Sequence, residues 1–321
     1  MSVVKELPKG YAKQGTVLTI GVFDGVHLGH LYLIDSLKSM GATQKKKTGI
    51  ITFIKHPATI INPQFEPQYL TTLKQKLNLL SNTGVDFVAP INFDHDLSIL
   101  EVEDFIKILI DHMGMAGLVI GPDFKMGKNR LGDVNKLIGL GQKYGFSVKV
   151  IDSIEQQGRS IRSTTIRDLA LQGKVDDIGN FLGRPFSITG TVIPGLKRGR
   201  EIGYPTANIE QPHEMLTPGD GIYATKTFVK GSNDLANLIS TTSIGTNPTF
   251  KEGNRTVECH ILDFNGDIYG KELRLEFHSR IRPEFKFNTV DDLVTQMEDD
   301  LRQTRLLLSE ISDRQQSKRT I

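Results

Sequence analysis

The sequence predicts a two-part α/β chain, with a doubly wound parallel sheet first and then a small antiparallel β-barrel closed by a C-terminal helix. Three observations predict it. From Thr16 to about Val150, apolar runs short enough for buried strands alternate with segments of helical spacing. Past about Arg184 the texture changes to short runs rich in Thr, Val, Ile and Tyr, punctuated by Gly and Pro. The length, 321 residues at 38% hydrophobic content, is enough for two cores.

In the first part, Val17-Leu18-Thr19-Ile20 reads as a strand running into a glycine-bearing turn, and residues 28–40 follow with helical spacing. Buried strands are expected over 49–54, 85–91, 118–120 and 146–151, with helices over 101–113 and 134–144. Phe181-Leu182-Gly183-Arg184-Pro185 is the natural boundary, because Gly and Pro stop the preceding helix; the expected domains are 1–183 and 184–321. The closing helix is expected over 289–312.

Composition narrows the function. Thirty-nine basic against 37 acidic residues leave a net charge of +2, too balanced for a general nucleic-acid or membrane binder, so attraction to anions must come from local clusters. Residues 1–16 lack the apolar core of a signal peptide, and no run approaches a membrane span. The expected setting is cytoplasmic, with small-molecule partners and self-association left open. Cys259 is the only cysteine, which excludes an intramolecular disulfide and a cysteine zinc site.

The turn Gly21-Val22-Phe23-Asp24-Gly25-Val26-His27-Leu28-Gly29-His30 has the chemistry of a phosphate site. Glycines let the backbone approach an anion, the helix start offers unpaired N–H donors, and His27 and His30 share a face. The stretch resembles the HxGH signature of the Rossmann-like nucleotidyltransferases, and its extended form resembles the adenylyltransferase module of prokaryotic bifunctional riboflavin kinase/FAD synthetases.

That resemblance implies an ATP site at Gly21, Phe23, Asp24, His27, Gly29 and His30, joined by two further motifs. Gly121-Pro122-Asp123-Phe124-Lys125-Met126-Gly127 departs from a Walker A loop in its glycine spacing and resembles the family's GxDFxFG, which makes Asp123 an ATP contact. Ile161-Arg162-Ser163-Thr164-Thr165-Ile166-Arg167 resembles ISSTxIR, which closes over the phosphates. There Ser163 or Thr164 is expected to cap a helix running to Gln172, and Arg167 to fork a phosphate. Phe53-Ile54-Lys55-His56-Pro57 resembles FxPHP, implying flavin contacts at His56 and Pro57. Lys55, Met126 and Arg162 depart from the family pattern.

In the second part, residues 190–209 resemble the riboflavin kinase pattern through Gly203-Tyr204-Pro205-Thr206-Ala207-Asn208. The loop from Gly195 to Gly203, with Arg200, suits a flap over polyphosphate. Thr206 and Asn208 alternate onto one face and offer oxygen to magnesium. In residues 257–261, period two puts Glu258 and His260 on one face and Cys259 on the other. By position Glu258 matches the family's catalytic base, and Arg282 is expected to flank the flavin. The resemblance implies ATP-dependent phosphorylation of riboflavin to FMN with release of ADP, then adenylyl transfer to FMN giving FAD and pyrophosphate, with Mg2+ as cofactor.

Overall fold

The computed structural model describes residues 2–196, 198–232, 235–246 and 255–317. Lys197 of the expected flap lies outside them, as do residues 247–250, the end of a stretch, 243–250, whose sequence also resembles the riboflavin kinase pattern. The chain forms two compact units, residues 1–163 and 164–321.

The first unit opens with α1 (Ser2–Glu6) and β1 (Thr16–Gly21), then α2 (Leu28–Gln44), β2 (Lys47–Phe53), α3 (Ala58–Ile61) and α4 (Leu73–Ser81). It continues through β3 (Phe87–Ile91), α5 (His95–Ser98), α6 (Val102–Met113), β4 (Met115–Ile120), α7 (Val134–Tyr144) and β5 (Ser147–Val150). A small hairpin, β6 (Glu155–Gln156) and β7 (Arg159–Ser160), leads to α8 (Ser163–Leu171), which joins the units.

The five main strands are parallel in the order β3-β2-β1-β4-β5. Alternation along β1 sends Leu18 and Ile20 into a core with Phe105, Ile106 and Leu109 of α6. Val17 goes to the opposite core, with Ile34 and Leu37 of α2. Burial on both faces is what a doubly wound sheet requires, and the near-continuous apolar runs encode it. β5 differs from expectation: three of its four residues are exposed, because it is an edge strand.

The second unit has α9 (Val175–Leu182), β8 (Phe186–Ile193), α10 (Arg198–Glu201), β9 (Ala207–Glu210), β10 (Gly221–Val229), β11 (Leu238–Gly245), β12 (Thr256–Ile261), β13 (Glu272–Arg282) and α11 (Val290–Ser317). Six strands close an antiparallel barrel in the order β10-β11-β12-β9-β8-β13. Closure removes the exposed strand edges that a small sheet would otherwise present. Both α9 and α11 pack on the barrel. Val175, Ile178, Phe181 and Leu182 of α9 are all buried. The expected boundary at Gly183 thus follows a helix that packs with the barrel, while the compact units divide at 163/164.

Candidate active sites

Winding runs outward from β1 to β3 and then returns to the other side of β1 at β4. The crevice beyond the carboxyl ends of β1 and β4 is the topological switch point, where open α/β sheets bind ligands. The turn after β1 is tightly wound. Phe23 and Val26 hold φ of 53° and 40°, which side chains rarely adopt, and Gly25 holds 81°. Each non-glycine in this region costs roughly 1–3 kcal/mol, strain that marks functional turns.

His27 caps α2, and the two histidines close a reciprocal box. His27 Nδ1 accepts the His30 backbone N–H at 3.2 Å, and His30 Nδ1 accepts that of His27 at 3.4 Å. Their rings stack with centroids 3.6 Å apart. With each Nδ1 an acceptor, the proton of the neutral ring lies on Nε2, so both side chains offer an Nε2–H. Burial, then the neighbouring His27, then Lys76, push the His30 pKa well below its ordinary value. His30 is therefore a neutral donor at physiological pH.

The other predicted residues of the turn support this pair from beneath. Phe23 is buried, with its ring 5.0 Å from that of His30, and a side chain at Gly21 would meet it. Asp24 is buried, and its carboxylate accepts the Leu70 N–H at 3.0 and 3.1 Å and both the N–H and Oγ1 of Thr71 at 3.3 Å. Its oxygens face protein donors. Gly29 lies close to the His27 ring and the Ile161 carbonyl.

Around the crevice, Ser163 is the first residue of α8 and its Oγ donates to the Asp24 carbonyl at 2.9 Å. It ties the turn to the start of α8. Asp123 pairs with Arg162 at 2.6 Å, both exposed, so the residue that breaks the motif engages another site residue. Thr164 and Arg167 follow on α8, within the second unit. His56 lies just past β2, with Nδ1 accepting the Ala58 N–H at 3.1 Å and its ring 5.1 Å from Phe65; Pro57 starts α3.

Sequence reasoning missed Lys76. This α4 lysine is 5% exposed, and its ammonium donates to the Phe53 carbonyl at 2.6 Å and the Val22 carbonyl at 3.2 Å. Burial lowers its pKa to about 8, against the opposing pull of Asp24. A signal was available: Lys76 stands three residues after Leu73 and four before Leu80, on the apolar stripe of its helix.

On the barrel, Thr206 Oγ1 donates to Glu258 Oε2 at 3.1 Å, and Thr256 Oγ1 to Oε1 at 3.3 Å. Asn208 is the register partner of Glu258 across β9 and β12. The three side chains share the outward face, while Cys259 points inward, 3.3 Å from Thr227 Oγ1. Burial pushes the Cys259 thiol up. Gly195 packs directly on the Asn208 amide, where a Cβ would come within 2.1 Å. Gly203, at φ 89°, turns the chain after α10 in a conformation that favours glycine. Arg200 and Thr206 line a cavity of about 620 Å³ that extends to Phe264 and Tyr269, a volume of the kind that holds small-molecule ligands.

Thr206 and Asn208 offer neutral oxygen atoms beside the Glu258 carboxylate. This donor set fits magnesium, a hard cation that retains several waters. The Arg282 guanidinium forks onto Asp300 of α11 at 2.7–3.1 Å, with both side chains nearly buried. It anchors the closing helix.

Among the described residues no helix is long and apolar enough to cross a membrane. The FAD synthetase family model matches residues 10–165, and the riboflavin kinase model residues 182–308. A bifunctional riboflavin kinase/FMN adenylyltransferase of Listeria monocytogenes is 35% identical over 92% of this chain and 94% of its own. Proteins of the same description from Escherichia coli K12 and Bacillus subtilis 168 are each 33% identical over 89% of this chain and 90% of theirs. A crystal structure described as a macrolide-efflux protein from Streptococcus pneumoniae matches the fold at a TM-score of 0.84 and 28% identity, covering 95% of this chain and 97% of that one. The chain belongs to the bifunctional riboflavin kinase/FMN adenylyltransferase family.

Proposed function

We propose that the two activities of this chain, riboflavin kinase and FMN adenylyltransferase, are divided between its parts: residues 1–183 join FMN to the adenylyl group of ATP, and residues 184–321 phosphorylate riboflavin. One observation carries the division. A carboxylate, Glu258, stands with Thr206 and opposite Asn208 on the barrel, whereas Asp24, the carboxylate built into the histidine turn, is held by protein N–H and hydroxyl donors.

The two nucleophiles differ in the same way. The FMN phosphate is mostly ionised at neutral pH, with a second pKa of about 6, and needs no base. Its attack on the α-phosphorus, with pyrophosphate leaving, asks for positioning and for neutralisation of charge on the phosphoryl oxygens. His27 and His30 supply Nε2–H donors to those oxygens, and the turn at Gly21 and Gly29 admits the phosphates closely. Asp123 and Arg162 flank the same crevice. The motif assigns Thr164 and Arg167 to the phosphates and His56 and Pro57 to the flavin, and these roles rest on sequence alone.

The ribityl hydroxyl of riboflavin is not ionised, so a base that orients it and accepts its proton speeds transfer of the γ-phosphate. Glu258 takes that role. The cavity beside Thr206 and Arg200 receives the nucleotide, under the 195–203 flap. Thr206 and Asn208 would hold magnesium, which when bound neutralises phosphate charge. Purified chain incubated with riboflavin, ATP and magnesium, and resolved by chromatography, is expected to yield FMN and then FAD. Accumulation of FMN alone would overturn the adenylyl assignment, and FAD made only from supplied FMN the kinase assignment.

A further inference from the structure

Three connections converge on one short stretch, residues 70–76. Leu70 and Thr71 hold the Asp24 carboxylate through two backbone N–H groups and a hydroxyl. Six and five residues on, the Lys76 ammonium reaches the carbonyls of Val22 and Phe53. Val22 opens the turn that carries His27 and His30, and Phe53 ends β2, three residues before His56. Parallel register sets Gly21 beside Thr52, whose Oγ1 donates to the same Val22 carbonyl at 3.1 Å.

We propose that Lys76 is a positioning residue for adenylyl transfer: its ammonium ties the loop bearing the phosphate-facing histidines to the loop bearing His56, fixing the spacing between phosphate and flavin contacts. The inference rests on the histidine and flavin assignments made above. A solvated lysine has no need of this arrangement. Lys76 is 5% exposed and donates to two carbonyls on different loops, that of Val22 just past β1 and that of Phe53 at the end of β2. Charge-assisted bonds of this kind are shorter and stronger than neutral ones.

The charge has a second effect. The groups that face the ammonium are Asp24 from the turn and His30 from α2, with His27 stacked on His30. A cation beside His30 opposes its protonation and so preserves the Nε2–H donor with a free Nδ1 acceptor for the His27 N–H. Lys76 thus sets both where the histidine stands and which protonation state it holds. Because its own pKa is lowered to about 8, the free enzyme loses this charge at mildly alkaline pH.

The test compares Lys76→Met, Lys76→Arg and His30→Ala in the full chain, with FAD formation from supplied FMN followed over pH 5–9.5. Lys76→Met is expected to lower kcat on the order of a hundredfold and to raise the KM for FMN, since small misplacements remote from the reacting atoms cost that much. Lys76→Arg, which keeps charge and donors, is expected to recover most of the rate and to abolish the decline near pH 8, since arginine does not deprotonate there. The acid limb of Lys76→Met should move to higher pH as His30 regains basicity. Circular dichroism on each variant normalises for the folded fraction, and Lys76→Arg reports even where Lys76→Met folds poorly. A Lys76→Met rate and KM within about threefold of wild type, or a decline near pH 8 that persists in Lys76→Arg, overturns the proposal. If His30→Ala also leaves FAD formation intact, the histidine assignment fails with it; if His30→Ala abolishes FAD formation, only the role of Lys76 is lost.

Discussion

His27 and His30 hold each other in place: each Nδ1 accepts the other residue's backbone N–H, at 3.2 and 3.4 Å, and the rings stack at 3.6 Å. Removing either one frees the other. His30→Ala is therefore expected to lower FAD formation by on the order of a hundredfold or more, with riboflavin phosphorylation unchanged. His27→Ala should cost about as much, and the double variant little more than either, because the two act as a unit. Steady-state kinetics on the three variants check this, and strictly additive losses would mean that the histidines act separately.

The bond from Thr206 to Glu258 makes a cleaner test of base catalysis. Glu258→Gln keeps an oxygen to accept that 3.1 Å bond but removes the basic carboxylate. Kinase turnover should fall roughly a hundred- to ten-thousandfold, the usual worth of a positioned base. FAD formation from supplied FMN on the same preparation should barely change. Near-normal kinase turnover would leave Glu258 as a strand residue and the hydroxyl activated by positioning alone.

Helix α9 decides where a kinase fragment can begin. Its four buried apolar side chains and the Asp176 carboxylate, which accepts the Arg280 N–H at 3.3 Å, cover β13. Burying such side chains stabilises by about 1.5–3 kcal/mol each as an upper estimate. Residues 164–321 should therefore melt more than about 10 °C above residues 184–321, and should convert riboflavin to FMN without making FAD. Equal melting temperatures in calorimetry would show that α9 adds nothing to the barrel.

His278 couples the barrel to acid. Its side chain is 6% exposed on β13, and among the described residues its Nε2 has no hydrogen-bond partner, the Glu276 carboxylate lying 3.9 Å away. Burial, then the Lys226 ammonium, lower its pKa to about 4, against the pull of Asp176. Between its ordinary value and that one, the unfolded chain binds a proton that the folded barrel does not. This contribution to stability is complete above about pH 6.5 and is lost as pH falls, up to about 3 kcal/mol by pH 4. Urea unfolding of residues 164–321 at pH 7 and pH 5 should show a loss that His278→Gln reduces by about 2 kcal/mol; an unchanged difference would place the acid sensitivity elsewhere.

Much of this was legible in the chain itself, and the limits are physical. Period two along residues 256–261 separates Glu258 from Cys259, because a strand has only two faces. Glycines at a strand-to-helix turn, with two histidines three residues apart, point to the first site, because glycine lets a backbone come close to an anion and histidine adds ring donors. Lys76, Asp24 and Arg282 were harder. Nothing local in the sequence names the partners that the Lys76 ammonium, the Asp24 carboxylate and the Arg282 guanidinium bond. Those partners, Phe53, Leu70 and Asp300, lie 23, 46 and 18 residues away in sequence. The exposure of β5 was hidden for a related reason: composition suggests a strand, but only the winding order tells an edge from a centre.

The inward thiol of Cys259 makes the barrel report on itself. It is the one sulfhydryl in the sequence and 1% exposed, and only the ionised thiolate attacks alkylating reagents. Burial holds it in the unreactive form. A maleimide added to the intact enzyme therefore labels it only when the barrel opens, and the labelling rate counts those openings while staying silent about the sheet. Without any engineered cysteine, the breathing of one catalytic module can be timed inside a chain that carries two.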